Sequence, residues 1–334
     1  MRLVLNMFKR KKCIYVLLIG SVFYSGSLFA WGFYAHGIIN RHSIYLLPPE
    51  MVRFYRNHTS YLVEHSTDPD KRRYMLKEEG PRHYIDLDHY GSYPFVSLPR
   101  KYEEAEAKFG ADSLQSHGVV PWHVNIMLFR LRKAFKEKKW ESILRLSAEL
   151  GHYVSDAHVP LHTSSNHNGQ KSGQKGIHGF WESRVPELLC ESEFDFIIGK
   201  ACYLQNPETF IWERILESAL AVDSVLTFER ELTITYPEHL KYGFENRKGK
   251  VVKQYSSGFT IAYNNMLDQM IEKRMRTAVY SVACFWYTAW VDAGQPELEE
   301  NPSIDNIDSL KKSWEILNKI WMKGGEMIGR PEDD

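Results

Sequence analysis

The stretch GHYVSDAHVPLH, residues 151–162, places metal-binding types of side chain at a regular spacing. It closes a run of apolar residues three and four positions apart, which predicts a helix from Trp140 to His158. His152 and Asp156, four residues apart, would lie one turn apart on the same helix face and can share a metal ion. Pro160 interrupts this helix, so His162 can enter the same cleft from another direction.

A second stretch, HGFWES at residues 178–183, repeats this spacing with His178 and Glu182. One such pair is common on a solvated helix face and says little by itself. Two pairs that flank a proline and a loop rich in Gly, Ser and Asn, residues 163–175, favour a metal site.

Two segments nearer the N-terminus add further candidates. STDPDKRRY, residues 66–74, has Asp68 and Asp70 before three basic residues, and RHYIDLDHY, residues 82–90, contains His83 and Asp86. Polar turns with solvated charges are the alternative interpretation of both. Imidazole and carboxylate groups without thiolate are typical of zinc in a hydrolytic site.

The first thirty residues predict a secretory signal peptide. A basic beginning that includes Arg2 precedes an apolar run over residues 13–29, and Ala30 is a small residue at a plausible cleavage site. Cleavage would make Trp31 the new N-terminus and send the chain to a secreted or periplasmic location. An uncleaved membrane anchor is the alternative.

Composition restricts the partners and the architecture. The chain has 42 basic and 42 acidic side chains, and the first thirty residues hold five of the basic ones, so the remainder carries a formal charge of −5. This charge excludes bulk attraction to nucleic acid or to an anionic membrane. Cys190 and Cys202 could pair across a short loop, which the sequence leaves open.

The apolar periodicity predicts an all-α protein. Helices are expected over residues 35–47, 122–137, 140–158, 270–292 and 309–322, with loops at 163–175 and 243–258. No repeat or linker divides residues 31–334, which are expected to form a single multi-helical domain with a disordered tail from about residue 325.

An ordered set of residues resembles the ligand set of the superfamily of zinc-dependent phospholipases C and single-strand-specific nucleases. The set consists of Trp31, His36, Asp68, His83, His152, Asp156, His162, His178 and Glu182. The resemblance runs from Trp31 to about Arg184. It implies an all-helical fold with three zinc ions in one cleft.

The resemblance assigns these residues to three ions. One zinc would be held by Asp68, His83, His152 and Asp156. The second would be held by the α-amine and carbonyl of Trp31, by His36 and by the bridging Asp156, so signal cleavage would complete the site. The third would be held by His162, His178 and Glu182. Asp70 competes with Asp68, which is preferred because its separation from His83 matches the nuclease pattern.

The implied activity is hydrolysis of a phosphodiester by a hydroxide that bridges two zinc ions. Asp68 would orient the water or act as the base, and Lys71 or Arg72 would contact phosphate. Solvated surface charge is the alternative for the two cations.

The substrate remains open between two classes. Glu182 and the segment HGIINR, residues 36–41, resemble the phospholipases. HYID, residues 83–86, resembles the nucleases, in which Tyr84 would stack on a base and Asp86 would hydrogen-bond to it. We favour a phospholipase C-like enzyme that acts on a phospholipid head group.

Two alternatives to this enzyme remain. They are a single-strand nuclease or 3′-nucleotidase and a non-catalytic secreted zinc-binding protein. Peripheral contact with a membrane is left open, and no stable protein partner is predicted.

Overall fold

A computed structural model describes residues 32–247, 250–299, 307–322 and 328. The predicted signal peptide and Trp31 lie outside the described residues, as does nearly all of the predicted tail.

The described chain is almost entirely helical, which confirms the all-α prediction. The α-helices are α1 (Phe33–Ser43), α2 (Pro49–Asn57), α3 (Thr59–Glu64), α4 (Asp68–Arg72), α5 (Tyr102–Phe109), α6 (Ala111–His117), α7 (Val120–Lys136), α8 (Trp140–Asp156), α9 (Ile177–Gly179), α10 (Val185–Leu189), α11 (Pro207–Thr235), α12 (Glu238–Lys241), α13 (Ser257–Met266), α14 (Met270–Asp292) and α15 (Ile307–Met322). Short 3₁₀ turns occupy Ile44–Leu46, His65–Thr67, Gly80–His83, Leu87–Tyr90 and Pro160–Thr163, and Phe180–Arg184 is a π-helical turn. The strands β1 (Tyr242–Arg247) and β2 (Lys250–Tyr255) form an antiparallel hairpin.

The core lies between α1, α7, α8 and α14, which pack against one another. α14 is buried along most of its length, and its Trp286 is fully buried. The indole of Trp286 stacks on Tyr55 and donates a hydrogen bond of 3.0 Å to the carbonyl of Ser147 on α8. Packing on several sides explains the densely apolar sequence of α14. None of the described helices is both long and apolar enough to cross a membrane.

A glycine sets the close approach of α1 and α8. A Cβ at Gly151 would overlap with Oδ1 of Asn40 on α1. The Asn40 side chain donates hydrogen bonds of 3.2 Å to the carbonyls of Ala148 and Leu62, which ties α1 to α8 and α3. One consequence is that the rings of His36 and His152 stack at 4.0 Å.

Three expectations from the sequence differ from the structure. The segment expected to be a loop over residues 243–258 forms the β-hairpin and the start of α13. The 29-residue helix α11 was not predicted, because its apolar residues meet α7, α13 and the turn Pro160–Thr163 and therefore do not form one stripe. Cys202 lies 3.6 Å from Cys284, sulfur to sulfur, rather than beside Cys190, and the three are free thiols.

Candidate metal centre

Asp156 lies at the centre of the site. It ends α8, and its side chain is fully buried. Its Oδ2 lies 2.9 Å from His83 Nδ1 and 3.2 Å from His152 Nε2. Its Oδ1 lies 3.5 Å from His36 Nε2 and 3.9 Å from His162 Nδ1. The two oxygens of one carboxylate therefore face different histidines, which allows it to bridge two ions.

Four ligand atoms from Asp70, His83, His152 and Asp156 surround one point. Asp70 Oδ1 lies 3.6 Å from His83 Nδ1 and 3.5 Å from His152 Nε2, and the two imidazole nitrogens are 3.0 Å apart. With zinc–ligand bonds of about 2.0–2.1 Å, the edges of a coordination tetrahedron are about 3.3–3.4 Å long. The five measured separations, between 2.9 and 3.6 Å, fit the edges of such a tetrahedron.

A second group consists of His162, His178 and Glu182. The two Nε2 atoms are 3.2 Å apart, and Glu182 Oε2 lies 3.5 Å from that of His162 and 3.0 Å from that of His178. Glu182 lies in the π-helical turn Phe180–Arg184, a distortion that is frequent at functional sites. Three protein ligands are the number typical of catalytic zinc.

A third group shares members with the first. Ligand atoms of His36, Asp70 and His152 lie within 4.8 Å of one another. The three groups of histidines and carboxylates could hold three metal ions.

Backbone contacts orient two of the imidazoles. His162 Nδ1 lies 2.6 Å from the carbonyl of His83, and His178 Nδ1 lies 3.2 Å from the carbonyl of His167. Because a carbonyl oxygen only accepts hydrogen bonds, Nδ1 carries the proton in each ring. The Nε2 lone pairs are then directed at the Glu182 side of the group, in the form that binds metal.

Burial and neighbouring charges shift the pKa values in the site. Burial lowers the pKa of His36 well below its usual range and raises the pKa of Asp70. Burial also acts to lower the pKa of His83, but hydrogen bonds to Asp156 and Glu79 outweigh it and raise that pKa to about 9. A metal ion bound at His83 Nδ1 would replace a proton there, so metal binding releases protons.

The residues present fit zinc. Both carboxylate oxygens of Asp70, together with Asp156 Oδ1, are buried and have no hydrogen-bond partner among the described residues. Buried carboxylate oxygens without a donor are costly, and a cation relieves that cost. The donor set contains imidazole nitrogen and carboxylate oxygen but no thiolate, which suits zinc.

The preference for Asp68 over Asp70 is corrected by this geometry. Asp68 Oδ2 accepts a hydrogen bond from His65 Nδ1 at 2.6 Å, and Oδ1 accepts one from Lys71 at 3.1 Å. Residues two apart on a helix point to opposite sides, so only one of the two aspartates can face His83 and His152. On α4 that residue is Asp70.

The predicted phosphate contact of Arg72 is corrected as well. Its guanidinium lies 3.3 Å from Glu79 and 2.9 Å from Glu149, and it donates to the hydroxyl of Tyr153 at 3.2 Å. These contacts engage it in a buried network behind the site. Lys71 is buried, bonded to Asp68, and lies over the rings of Phe33 and Trp314 at 5.7 and 5.6 Å.

The structure does not bring Tyr84 and Asp86 into the ligand groups. The hydroxyl of Tyr84 donates to the carbonyl of Ser116 at 3.3 Å, and Tyr84 lines a cavity of about 1500 Å³ with Trp122. Asp86 lies 3.7 Å from His117.

Glu79 is a functional residue that the sequence reasoning missed. Its carboxylate lies 3.7 Å from His83 Nε2, on the side of the ring opposite Asp156, and 2.7 Å from Arg82. Such a carboxylate orients a metal-binding imidazole and raises its basicity. The signal was present, because Glu79 and His83 have the same four-residue spacing as His152 and Asp156.

The structure also places the beginning of the described chain beside this site. The backbone N–H of Gly32 donates to Ser183 Oγ at 3.1 Å, and Ser183 follows Glu182 directly. Trp31 itself lies outside the described residues.

These features define a helical protein with buried histidines and carboxylates that could hold several metal ions. A family model described as zinc dependent phospholipase C matches residues 35–246, so the chain belongs to this family of zinc-dependent hydrolases. The match includes each predicted ligand except Trp31. No curated protein matches the chain.

Proposed function

We propose that this protein is a secreted, trinuclear-zinc phospholipase C-like enzyme that hydrolyses a phosphodiester bond of a phospholipid at the head group. The observation that carries this proposal is the position of Asp156, whose two oxygens face different histidines. One ion on each side of this carboxylate, beside a third at Glu182, would surround a substrate phosphate with cations.

The chain's own residues supply the frame for this reaction. Asp70, His83, His152 and Asp156 would hold one ion, and His162, His178 and Glu182 another. When bound, zinc supplies Lewis-acid chemistry that activates water near neutral pH and stabilises negative charge on phosphate oxygens.

Asp68 and His65 form a carboxylate–imidazole pair beside Asp70 on the chain. A proton taken up at Asp68 Oδ2 can be shared with His65 Nδ1, 2.6 Å away. We therefore keep Asp68 as the proposed proton acceptor while assigning the metal-ligand role to Asp70. The ammonium group of Lys71, which bonds to Asp68 at 3.1 Å, favours the ionised carboxylate.

Contacts of Tyr84 and Asp86 favour the phospholipase over the nuclease. Neither residue contacts the ligand groups, and the Tyr84 hydroxyl bonds to Ser116. A base held by these two residues would therefore lie away from the proposed ions.

A parallel assay tests the activity. Zinc-loaded protein beginning at Trp31 is incubated with phosphatidylcholine micelles and, separately, with single-stranded DNA, each with and without a chelator. We expect chelator-sensitive release of the phosphorylated head group and no release of nucleotides. Nucleotide release alone would contradict the proposed substrate. Retained zinc without hydrolysis of either substrate would make the chain a binding protein.

We also propose that signal cleavage completes the site through the α-amine of Trp31. The hydrogen bond from Gly32 to Ser183 supports this, because it holds the next residue beside Glu182. A peptide-bonded nitrogen is a poor metal ligand, so one extra residue before Trp31 should reduce the zinc content by about one ion per chain. Unchanged zinc content would refute this ligand.

A further inference from the structure

The β-hairpin presents an unusual outer face. Tyr242, Phe244 and Asn246 alternate on the exposed side of β1, and Val251 pairs opposite Asn246. Phe244 is 76% exposed and Val251 is 72% exposed. Large apolar side chains exposed to this degree on neighbouring strands mark an interaction surface.

The inner face of the same hairpin is fixed to the metal centre. Arg184 donates to Glu245 at 3.1 Å and to the carbonyl of Tyr255 at 3.1 Å. Arg247 pairs with Glu187 on α10. Because Arg184 belongs to the π-helical turn that contains Glu182, the hairpin is anchored directly to a segment with a proposed zinc ligand.

Further apolar residues continue this surface along the chain. Ile234, near the end of α11, is 78% exposed, and Leu240 on α12 is also exposed. Both lie within a few residues of β1 in the sequence.

The hairpin sequence is basic, in contrast to the rest of the chain. Residues 242–255, YGFENRKGKVVKQY, include four basic residues and one acid, Glu245, and that acid is paired with Arg184. Lys253 Nζ lies 4.1 Å from the centre of the Tyr242 ring on the exposed side. Apolar and aromatic side chains interleaved with lysine and arginine are typical of segments that lie in the membrane interface.

We propose that this hairpin docks the protein on the surface of an anionic phospholipid bilayer. Phe244 and Val251 would enter the acyl boundary, while Lys253 and the basic turn would pair with lipid head groups. The positive charge favours a lipid surface over an apolar protein groove. The inference concerns attachment and stands on the hairpin's own chemistry, so it does not depend on the proposed hydrolysis.

Vesicle co-sedimentation tests the proposal without measuring turnover. Full-length mature protein is mixed with vesicles of phosphatidylcholine alone or with phosphatidylserine added. We expect binding that requires the anionic lipid and weakens as salt rises, by about fivefold for each cation lost. The double variant Phe244→Ser/Val251→Ser should bind at least tenfold more weakly, and Lys253→Glu should reduce the dependence on phosphatidylserine.

Phe129→Ser is the matched control. Phe129 is 56% exposed and lies on α7 rather than on the hairpin, so this variant should bind vesicles like the parent. Circular dichroism and thermal melting verify that all variants are folded. Absence of vesicle binding by the parent protein would overturn the proposal. Equal loss in the Phe129 and hairpin variants would overturn the assignment of binding to the hairpin.

Discussion

Asp68 and Asp70 leave α4 in different directions, and this difference decides which one binds metal. Asp70 faces His83 and His152, whereas Asp68 bonds to His65 and Lys71. We predict that Asp70→Asn lowers both zinc content and activity, the latter by more than about a hundredfold, since loss of a ligand exceeds the effect of a lost outer contact.

The isosteric variant Asp68→Asn is the matched comparison. It should retain its zinc and lose activity only through proton transfer, for which about 10²–10⁴-fold is typical. Zinc measured by atomic emission in both variants separates the two roles. Loss of zinc from Asp68→Asn with full occupancy in Asp70→Asn would reverse the assignment.

Glu79 acts through His83 rather than on the substrate. We predict that Glu79→Gln weakens zinc affinity by about 10–100-fold, because a neutral amide supports the imidazole less than a carboxylate does. A competitive chelator titration measures this change. Glu78→Gln is the control, since Glu78 is its exposed neighbour on the chain and should bind zinc like the parent. Equal affinities in both variants would contradict the role of Glu79.

At the residue scale the sequence predicted types and spacings better than directions. His152 with Asp156 and His178 with Glu182 lie together as their four-residue spacing indicates. The choice between Asp68 and Asp70 could not be made in this way, because it depends on how the short helix α4 is rotated against α8. That rotation is set by packing and is not encoded in local periodicity.

At the scale of elements, the approach of α1 to α8 controls the site. The absence of a side chain at Gly151 allows Asn40 to reach the backbone of α8, and His36 and His152 stack one residue further on. We predict that Gly151→Ala lowers the free energy of unfolding by about 1–3 kcal/mol, because the added Cβ overlaps with Asn40.

Two further measurements complete this prediction. The displaced helix should also reduce zinc binding at His36 and His152. Gly243→Ala is the control, since its Cβ would meet no atom within 4 Å, and it should change the free energy of unfolding by less than about 0.5 kcal/mol. Urea denaturation gives both values. A Gly151→Ala variant as stable as the parent would show that α1 and α8 are not held at their closest distance.

Element prediction succeeded where a helix has one clear apolar pattern. α14 spans the predicted residues 270–292, and α8 ends two residues before its predicted end. α11 was missed because it contacts partners on several sides. The hairpin was missed because its exposed side carries Phe244 and Val251, so the polar and apolar residues do not alternate in the expected way.

At the scale of the whole molecule, the proposed ligands come from separate segments between His36 and Glu182. They lie on α1, α4 and α8, on two 3₁₀ turns, and on α9 with the following π-helical turn. Metal binding therefore connects segments that are distant in sequence. We predict that removing zinc with a chelator lowers the melting temperature by on the order of 10 °C, as expected for ligand bound only in the folded state. A melting temperature unaffected by chelation would contradict this linkage.

The family and the helical class of the molecule could be predicted from the order of the ligand residues. The sequence could not predict how the C-terminal elements surround that site. An example is Lys71, which lies between Phe33 and Trp314 of α15 although these residues are far apart in the chain. Such contacts result from tertiary packing alone.

The most direct test of the account is a crystal structure of the mature protein with anomalous scattering measured at the zinc edge. Three peaks are expected: among Asp70, His83, His152 and Asp156; among His162, His178 and Glu182; and between His36 and Asp156. Zinc bound elsewhere, or no peak within bonding distance of Asp156, would contradict the metal centre on which the proposed function depends.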